Sequence, residues 1–341
     1  MVYKILTMRT KHLAFSILFV FIALIIGGCR KEIPLNIDSK DRKIVVNGIL
    51  IPDSAVCINL SKSSSIAEKD LNEYRYIENA NVGLFENGIL VTHLTSTNNG
   101  YYKSDNDFRP KAGNFYKLIV EHEGKTASSE FFLPKKELNH SIDVKKIRSY
   151  SFEKDDSVVY SLKIYISIND NGNNKNYYCI SFGYPVFQNR YYGKDLPISQ
   201  IIIYNSKFTL YSPAVEFSNF NYLNDDEKLE KGIYGQFVYF SNELFRGQKH
   251  NLRLETNLSP FYVKEGKDSA TFYLYISMID ENYFRYRKYI AEYDNDDDFF
   301  SEKVQIVNNI NNGIGLFSGI TCIVDSFSIA INEFPSMLIQ Q

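Results

Sequence analysis

From Lys43 onward, apolar and polar residues alternate in short runs separated by turn residues. Lys43-Ile-Val-Val-Asn-Gly-Ile-Leu-Ile51 reads as a strand, Pro52-Asp53-Ser54 as a turn and Val56-Cys-Ile-Asn-Leu60 as the next strand. Ser61 to Glu73 is polar and reads as a loop. Ala80–Phe85 and Ile89–Leu94 flank Glu86-Asn87-Gly88, and the Asn-Gly pair supplies the positive φ angles of a tight hairpin. Gly100-Tyr101-Tyr102 starts another element, Pro110–Asn114 is a turn before Phe115–Glu121, and 125–133 gives a further strand. Short strands at this spacing predict a β-sandwich over 41–134.

Residues 134–145 read as a bridge to a second, larger β-rich region, 140–341. Val158–Ile168 is a clear strand, Asp170–Asn174 a turn and Tyr177–Phe182 its return. The aromatic and polar stretch 183–235 interrupts the pattern, and 249–256 and 270–279 resume it. Between Glu281 and Tyr293 the period changes: Phe284, Tyr286, Tyr289, Ile290 and Tyr293 recur at three- and four-residue steps, which predicts one helix packed on a sheet. The predicted fold class is therefore all-β in the main, an Ig-like sandwich followed by a larger β-rich domain with one short helix.

Leu13–Ile26 breaks this alternation with an unbroken apolar run, preceded by Lys4, Arg9 and Lys11 and followed by Gly27-Gly28-Cys29. The run is shorter than the roughly 20 residues of a membrane span and has the flanks of an export signal. Ile26-Gly-Gly-Cys29 resembles a bacterial lipobox, in which the cysteine receives a diacylglyceryl group and becomes the first residue after cleavage. Residues 1–28 are thus expected to be a lipoprotein signal peptide, Cys29 the lipidated residue and 29–40 a tether; Met8 is an alternative start. Two or three acyl chains on one cysteine anchor a protein far more firmly than the single chain that binds only marginally. Arg30-Lys31-Glu32 resembles the charged tract that directs such proteins to the cell surface, the alternative being a solvated linker facing the periplasm. No later segment is long and apolar enough to span a membrane as a helix.

Composition changes this picture little. The 341 residues include 38 Lys+Arg and 40 Asp+Glu, a net charge of −2. Without residues 1–28, which hold three basic residues and no acid, 35 basic residues face 40 acidic ones and the charge is −5. An acidic body argues against a general nucleic-acid binder, which needs a basic surface to displace counterions. The 26 Tyr and 25 Phe, with no Trp, read either as a surface rich in stacking platforms or, more simply, as codon bias with much of the excess in strands and core. Cys57, Cys179 and Cys322 permit at most one internal disulfide, and each sits in an apolar strand-like run.

Several segments in order resemble a lipoprotein family of Bacteroidota, the domain of unknown function 4249. They are Lys43–Leu50, Leu60-Ser-Lys-Ser63, Ile77–Val82, Gly100-Tyr-Tyr102, Lys111–Tyr116, Phe240-Ser-Asn-Glu-Leu-Phe-Arg-Gly247, Tyr283-Phe-Arg-Tyr286 and Val307–Gly319. In the central motif an Asp is common where this chain has Asn242. The resemblance implies no catalytic residues. It implies an accessory role in uptake beside TonB-dependent outer-membrane receptors, with such a receptor as a partner; the N-terminal lipid makes the outer membrane the other partner, and the acidic charge argues against nucleic acid.

Candidate chemistry is sparse. His93, His122, His140 and His250 form no zinc-ligand spacing, and no nucleophile elbow, P-loop or dinucleotide fingerprint occurs. Asp294-Asn-Asp-Asp-Asp298 concentrates carboxylates, so Asp294, Asp296 and Asp298 are candidate calcium ligands, although Phe299 and Gln305 break the EF-hand pattern and a solvated loop is the plainer reading. Asn308–Phe317 offers backbone N–H groups to an anion or, more simply, a tight return into a last strand at Gly313 and Gly315. The sharpest binding candidate is Gly183–Gly193, read as a long loop presenting Tyr184, Phe187, Arg190, Tyr191 and Tyr192, against the alternative that it packs on its own domain. The expectation is a non-enzymatic, cofactor-free, lipid-anchored outer-membrane protein, at the cell surface and accessory to TonB-dependent uptake. The alternatives are a structural or assembly component of the envelope without small ligand, and an enzyme acting on surface polymers.

Overall fold

A computed structural model describes residues 42–64, 76–105, 107–150, 158–190, 198–219, 232–258, 263–264, 269–294, 307–330 and 339–340. The first strands are β1 (Ile44–Leu50), β2 (Cys57–Lys62), β3 (Asn81–Glu86), β4 (Ile89–His93), β5 (Thr95–Asn98), β6 (Tyr101–Lys103), β7 (Phe115–His122) and β8 (Lys125–Phe132). Asn87 and Gly88 both take positive φ, 49° and 85°, as the β3–β4 hairpin turn requires. Sheet β4-β3-β7-β8 faces β1-β2-β6-β5. Their inward residues, among them Val46, Leu60, Leu84, Tyr116 and Val120, form one buried core.

The remaining strands are β9 (Asn139–Tyr150), β10 (Val158–Asn169), β11 (Tyr177–Arg190), β12 (Ile198–Ser206), β13 (Phe208–Tyr211), β14 (Val215–Ser218), β15 (Ile233–Gly235), β16 (Phe237–Ser241), β17 (Lys249–Leu258), β18 (Val263–Lys264), β19 (Ser269–Ile279), β20 (Gly313–Ala330) and β21 (Ile339–Gln340). Sheet β15-β13-β17-β10-β9 packs on the β11, β16 and β19 part of a ten-stranded sheet. The second core lies between them, with Leu162, Ile164, Ile166, Ile180, Phe182 and Leu254 sealed from solvent.

One strand serves both cores. The start of β20, Gly313–Gly319, pairs in parallel with Ile44–Leu50 of β1. Its remainder, Ile320–Ala330, pairs antiparallel with β19. Phe317 fills the first core while Ile329 reaches the second. Gly315 is obligatory at the crossing: its φ is +120°, and a Cβ there would lie 2.0 Å from the Val46 carbonyl oxygen. The Asn-rich approach holds this strand in place. Asn309 Nδ2 donates to Phe317 O at 2.6 Å, and Phe317 N donates to Asn309 Oδ1 at 3.0 Å.

The helix expected from the change in period is α1 (Glu281–Asp294). Asp280 caps it, accepting from Tyr283 N at 2.8 Å. Two segments differ from their sequence reading. The bridge 134–145 contains the start of β9, whose inward Ile142 and Val144 alternate with charged, exposed Asp143 and Lys145, the dress of an edge strand. The supposed interruption at 183–235 continues as β11 to Arg190 and returns as β12. Its polar and aromatic residues do not alternate, and Pro185 argued against a strand.

Candidate functional site

The outward positions of β15-β13-β17-β10-β9 form the most chemically varied exposed face among the described residues. Strand alternation puts Leu162, Ile164 and Ile166 inside, so Lys163 and Tyr165 must point out. Register then sets rows across the sheet. Lys145, Lys163, Glu255, Thr209 and Tyr234 fall in one row, and Asp143, Tyr165, Arg253 and Tyr211 in the next. Three tyrosines on this face each lie beside a cation: the Arg253 guanidinium is 4.2 Å from the Tyr211 ring centre, Lys145 Nζ 5.1 Å from that of Tyr165 and Lys207 Nζ 5.9 Å from that of Tyr234. Glu255 is held between Lys163 at 3.0 Å and Arg253 at 3.1 Å. Hydroxyls, planar rings and both signs of charge thus stand on a strand framework whose other face is a sealed core.

The opposite outer surface of this sandwich is covered in part by the helix, while Val324 of β20 stays exposed. α1 lays Phe284 and Ala291 over Tyr177, Cys179, Phe217 and Tyr239 of the ten-stranded sheet. Phe217 stacks on Tyr239 at 4.7 Å and meets Phe284 edge-on at 5.2 Å. Burial pushes the Cys179 thiol up to about 12, so it stays protonated and unreactive in the folded chain. Asp280, at the foot of the helix, also accepts from Ser318 Oγ at 2.8 Å. Burial raises its carboxyl to about 6 despite these donors, and its second oxygen is buried without a hydrogen bond.

Three other polar groupings are structural in their geometry. Asp170 accepts from Gly247 N at 2.7 Å, Gly172 N at 2.9 Å, Asn242 Nδ2 at 3.0 Å and Asn176 Nδ2 at 3.2 Å. Burial alone would push this carboxyl up, but the donors hold it below the usual carboxylate range. Asn242, fully buried, also donates to Asn174 O and accepts from Asn176 N, fastening the β16–β17 turn to the β10–β11 turn. An amide suits this place because it donates into a carboxylate; an Asp would set two carboxylates against each other. His250 contacts Ser212 Oγ at 2.7 Å and stacks on Phe245 at 4.3 Å, and burial lowers its pKa. Ser212 Oγ also accepts from Ala214 N, a turn-capping geometry. His140 meets Asp325 at 2.6 Å, linking β9 to β20.

The sequence-derived candidates fall as follows. Tyr184, Phe187 and Arg190 are not on a loop: they belong to β11 and stand opposite Tyr204, Ile201 and Ile198 of β12. Tyr191 and Tyr192 lie outside the described residues, as do Cys29, Asp296 and Asp298. Asp294 is the last residue of α1. No group of three or more His, Cys, Asp or Glu among the described residues is placed to hold a metal ion. The tyrosine–cation face escaped sequence reading because its rows draw on β9, β10, β13, β15 and β17, which are far apart in the chain. A local trace is Lys163-Ile-Tyr165 in β10, where a charge and a ring take alternate positions.

A family model described as "Domain of unknown function (DUF4249)" matches residues 30–322. The chain belongs to this family. The match runs from the residue after Cys29 into β20, so the DUF4249 region takes in both cores and the strand they share. No curated protein matches the chain. Two solved structures compared with it are a "Biofilm associated protein - BSP domain" and a "Biofilm associated protein - B domain". The first has 10% identity and a TM-score of 0.16, covering 84% of this chain and 59% of that one. The second has 7% identity and a TM-score of 0.15, covering 82% and 85%. This chain therefore spans under two thirds of the first structure.

Proposed function

We propose that this DUF4249 protein is a lipid-anchored component of the outer membrane that assists TonB-dependent uptake by binding, without a catalytic role. The observation that carries the binding part is the open face of the five-stranded sheet, where tyrosines and cations are fixed on a rigid scaffold. Tyr and Arg are the side chains that interfaces favour, because they offer large contact area together with polar tips. The anchoring part is supported by the apolar run ending at Gly27-Gly28-Cys29. The receptor-associated part rests on the resemblance set out above.

A gentle detergent extraction of the tagged native protein, followed by mass spectrometry of what accompanies it, tests the reading. A TonB-dependent receptor in near-equal amount is the expected result. Recovery alone, or with envelope-assembly factors, would overturn the uptake role and favour an envelope component. Cys29→Ala is expected to abolish acyl labelling and release the body from membranes; a variant that stays membrane-bound would contradict lipid anchoring at that residue.

A further inference from the structure

The exposed face of the five-stranded sheet has a charge opposite to that of the whole molecule. Its described outward residues include the cations Lys145, Lys163, Lys207, Lys249 and Arg253 against the carboxylates Asp143 and Glu255. The chain as a whole has a net charge of −2. Five strands at about 4.8 Å spacing make the face about 19 Å wide. Across that width, charges and rings alternate along the row Asp143, Tyr165, Arg253 and Tyr211, and the row Lys145, Lys163, Glu255, Thr209 and Tyr234 runs from charges to a ring. Tyr165 is 38% exposed and Tyr234 44% exposed, so aromatic area is open to solvent.

We propose that this face binds an acidic polysaccharide lying across the strands, its carboxylates on Lys145, Lys163 and Arg253 and its sugar rings against Tyr165 and Tyr234. The inference rests on the binding role above and names the class of ligand. Three features select this class. Cations match the carboxylates. The tyrosine faces match the apolar C–H surface of a pyranose ring. Glu255 and Asp143 add acceptor oxygens for sugar hydroxyls beside the cations. An acidic peptide would satisfy the cations but has no rings to lay on the tyrosines.

The test is titration calorimetry on the full chain in detergent, with alginate oligosaccharides as the probe and dextran, poly-glutamate and oligothymidylate of similar length as comparators. Alginate is expected to bind at least tenfold more tightly than any comparator. K163Q/R253Q is expected to weaken it at least tenfold with an unchanged melting temperature. Tyr165→Ala should weaken it about threefold, and K145Q, at the exposed edge, gives a second charge variant should the double variant fold poorly. Absence of alginate binding to the folded chain, binding indifferent to these substitutions, or preference for poly-glutamate or oligothymidylate would overturn the proposal. Receptor recovery with K163Q/R253Q separates the two claims. Retained receptor with no alginate binding by the unaltered chain refutes only the ligand class, whereas no receptor with the unaltered chain refutes the uptake role.

Discussion

The two outer surfaces of the second sandwich are built from similar residues and treated in opposite ways. On the ten-stranded side, Tyr177, Phe217 and Tyr239 lie beneath α1. On the five-stranded side, Tyr165, Tyr211 and Tyr234 are interleaved with Lys and Arg and have no covering element among the described residues. Cations accompany rings on both sides: Lys175 Nζ lies 5.5 Å from the Tyr177 ring centre, and the Arg287 guanidinium of α1 lies 5.7 Å from that of Tyr239. The difference lies in what covers them: α1 buries Phe284 and Ala291 over the one set, and the other keeps Tyr165 and Tyr234 exposed. A cation beside a ring therefore does not by itself mark a binding surface; exposure of the ring must accompany it.

The comparison can be broken or sharpened by substitution. The largest effect is expected under the helix: Phe217→Ala should lower unfolding free energy by about 3–5 kcal/mol in chemical denaturation, because it empties a sealed site between Tyr239 and Phe284. Asn242→Ala should cost about 3 kcal/mol, since it removes a donor from the Asp170 carboxylate and leaves Asn174 O and Asn176 N without their partner.

Asp280 gives a pH signature on the covered side. Its carboxyl is raised from 3.8 to about 6, so the folded chain holds this proton more tightly than the unfolded chain. The contribution is full below about pH 4 and is lost as pH rises through about 6, a change on the order of 3 kcal/mol. Asp280→Asn keeps a capping oxygen and should flatten that slope in melting curves taken between pH 4 and 7. On the open side, Lys163→Gln and Tyr165→Ala should each change stability by no more than about 0.5 kcal/mol, as surface substitutions do. Losses of several kcal/mol there would mean that the face is structural.

Local elements were legible wherever one short segment carried its own signal. The Asn87-Gly88 turn, the strand Val158–Ile168 and the helix after Asp280 are each set by neighbours in sequence. What was not legible depended on distant partners. The parallel pairing of β1 with β20 joins Ile44 to Gly313, and nothing near either residue announces it. β9 reads as a linker because its outward half is charged. The 183–190 segment reads as a loop because turn residues, Gly183, Pro185 and Asn189, are spread among its aromatics; its pairing with the distant β12 makes it a strand. The tyrosine–cation face is hidden for the same reason: Tyr165 and Arg253 become neighbours only through antiparallel register.

Lysine acetylation footprinting of the intact chain, with and without bound alginate, tests the central claim that the open sheet face is the working surface. The account predicts that Lys145, Lys163 and Lys249 lose reactivity several-fold on binding, while Lys43, Lys103 and Lys288 keep theirs. Protection confined to the latter set, or no protection at all under saturating ligand, would contradict it.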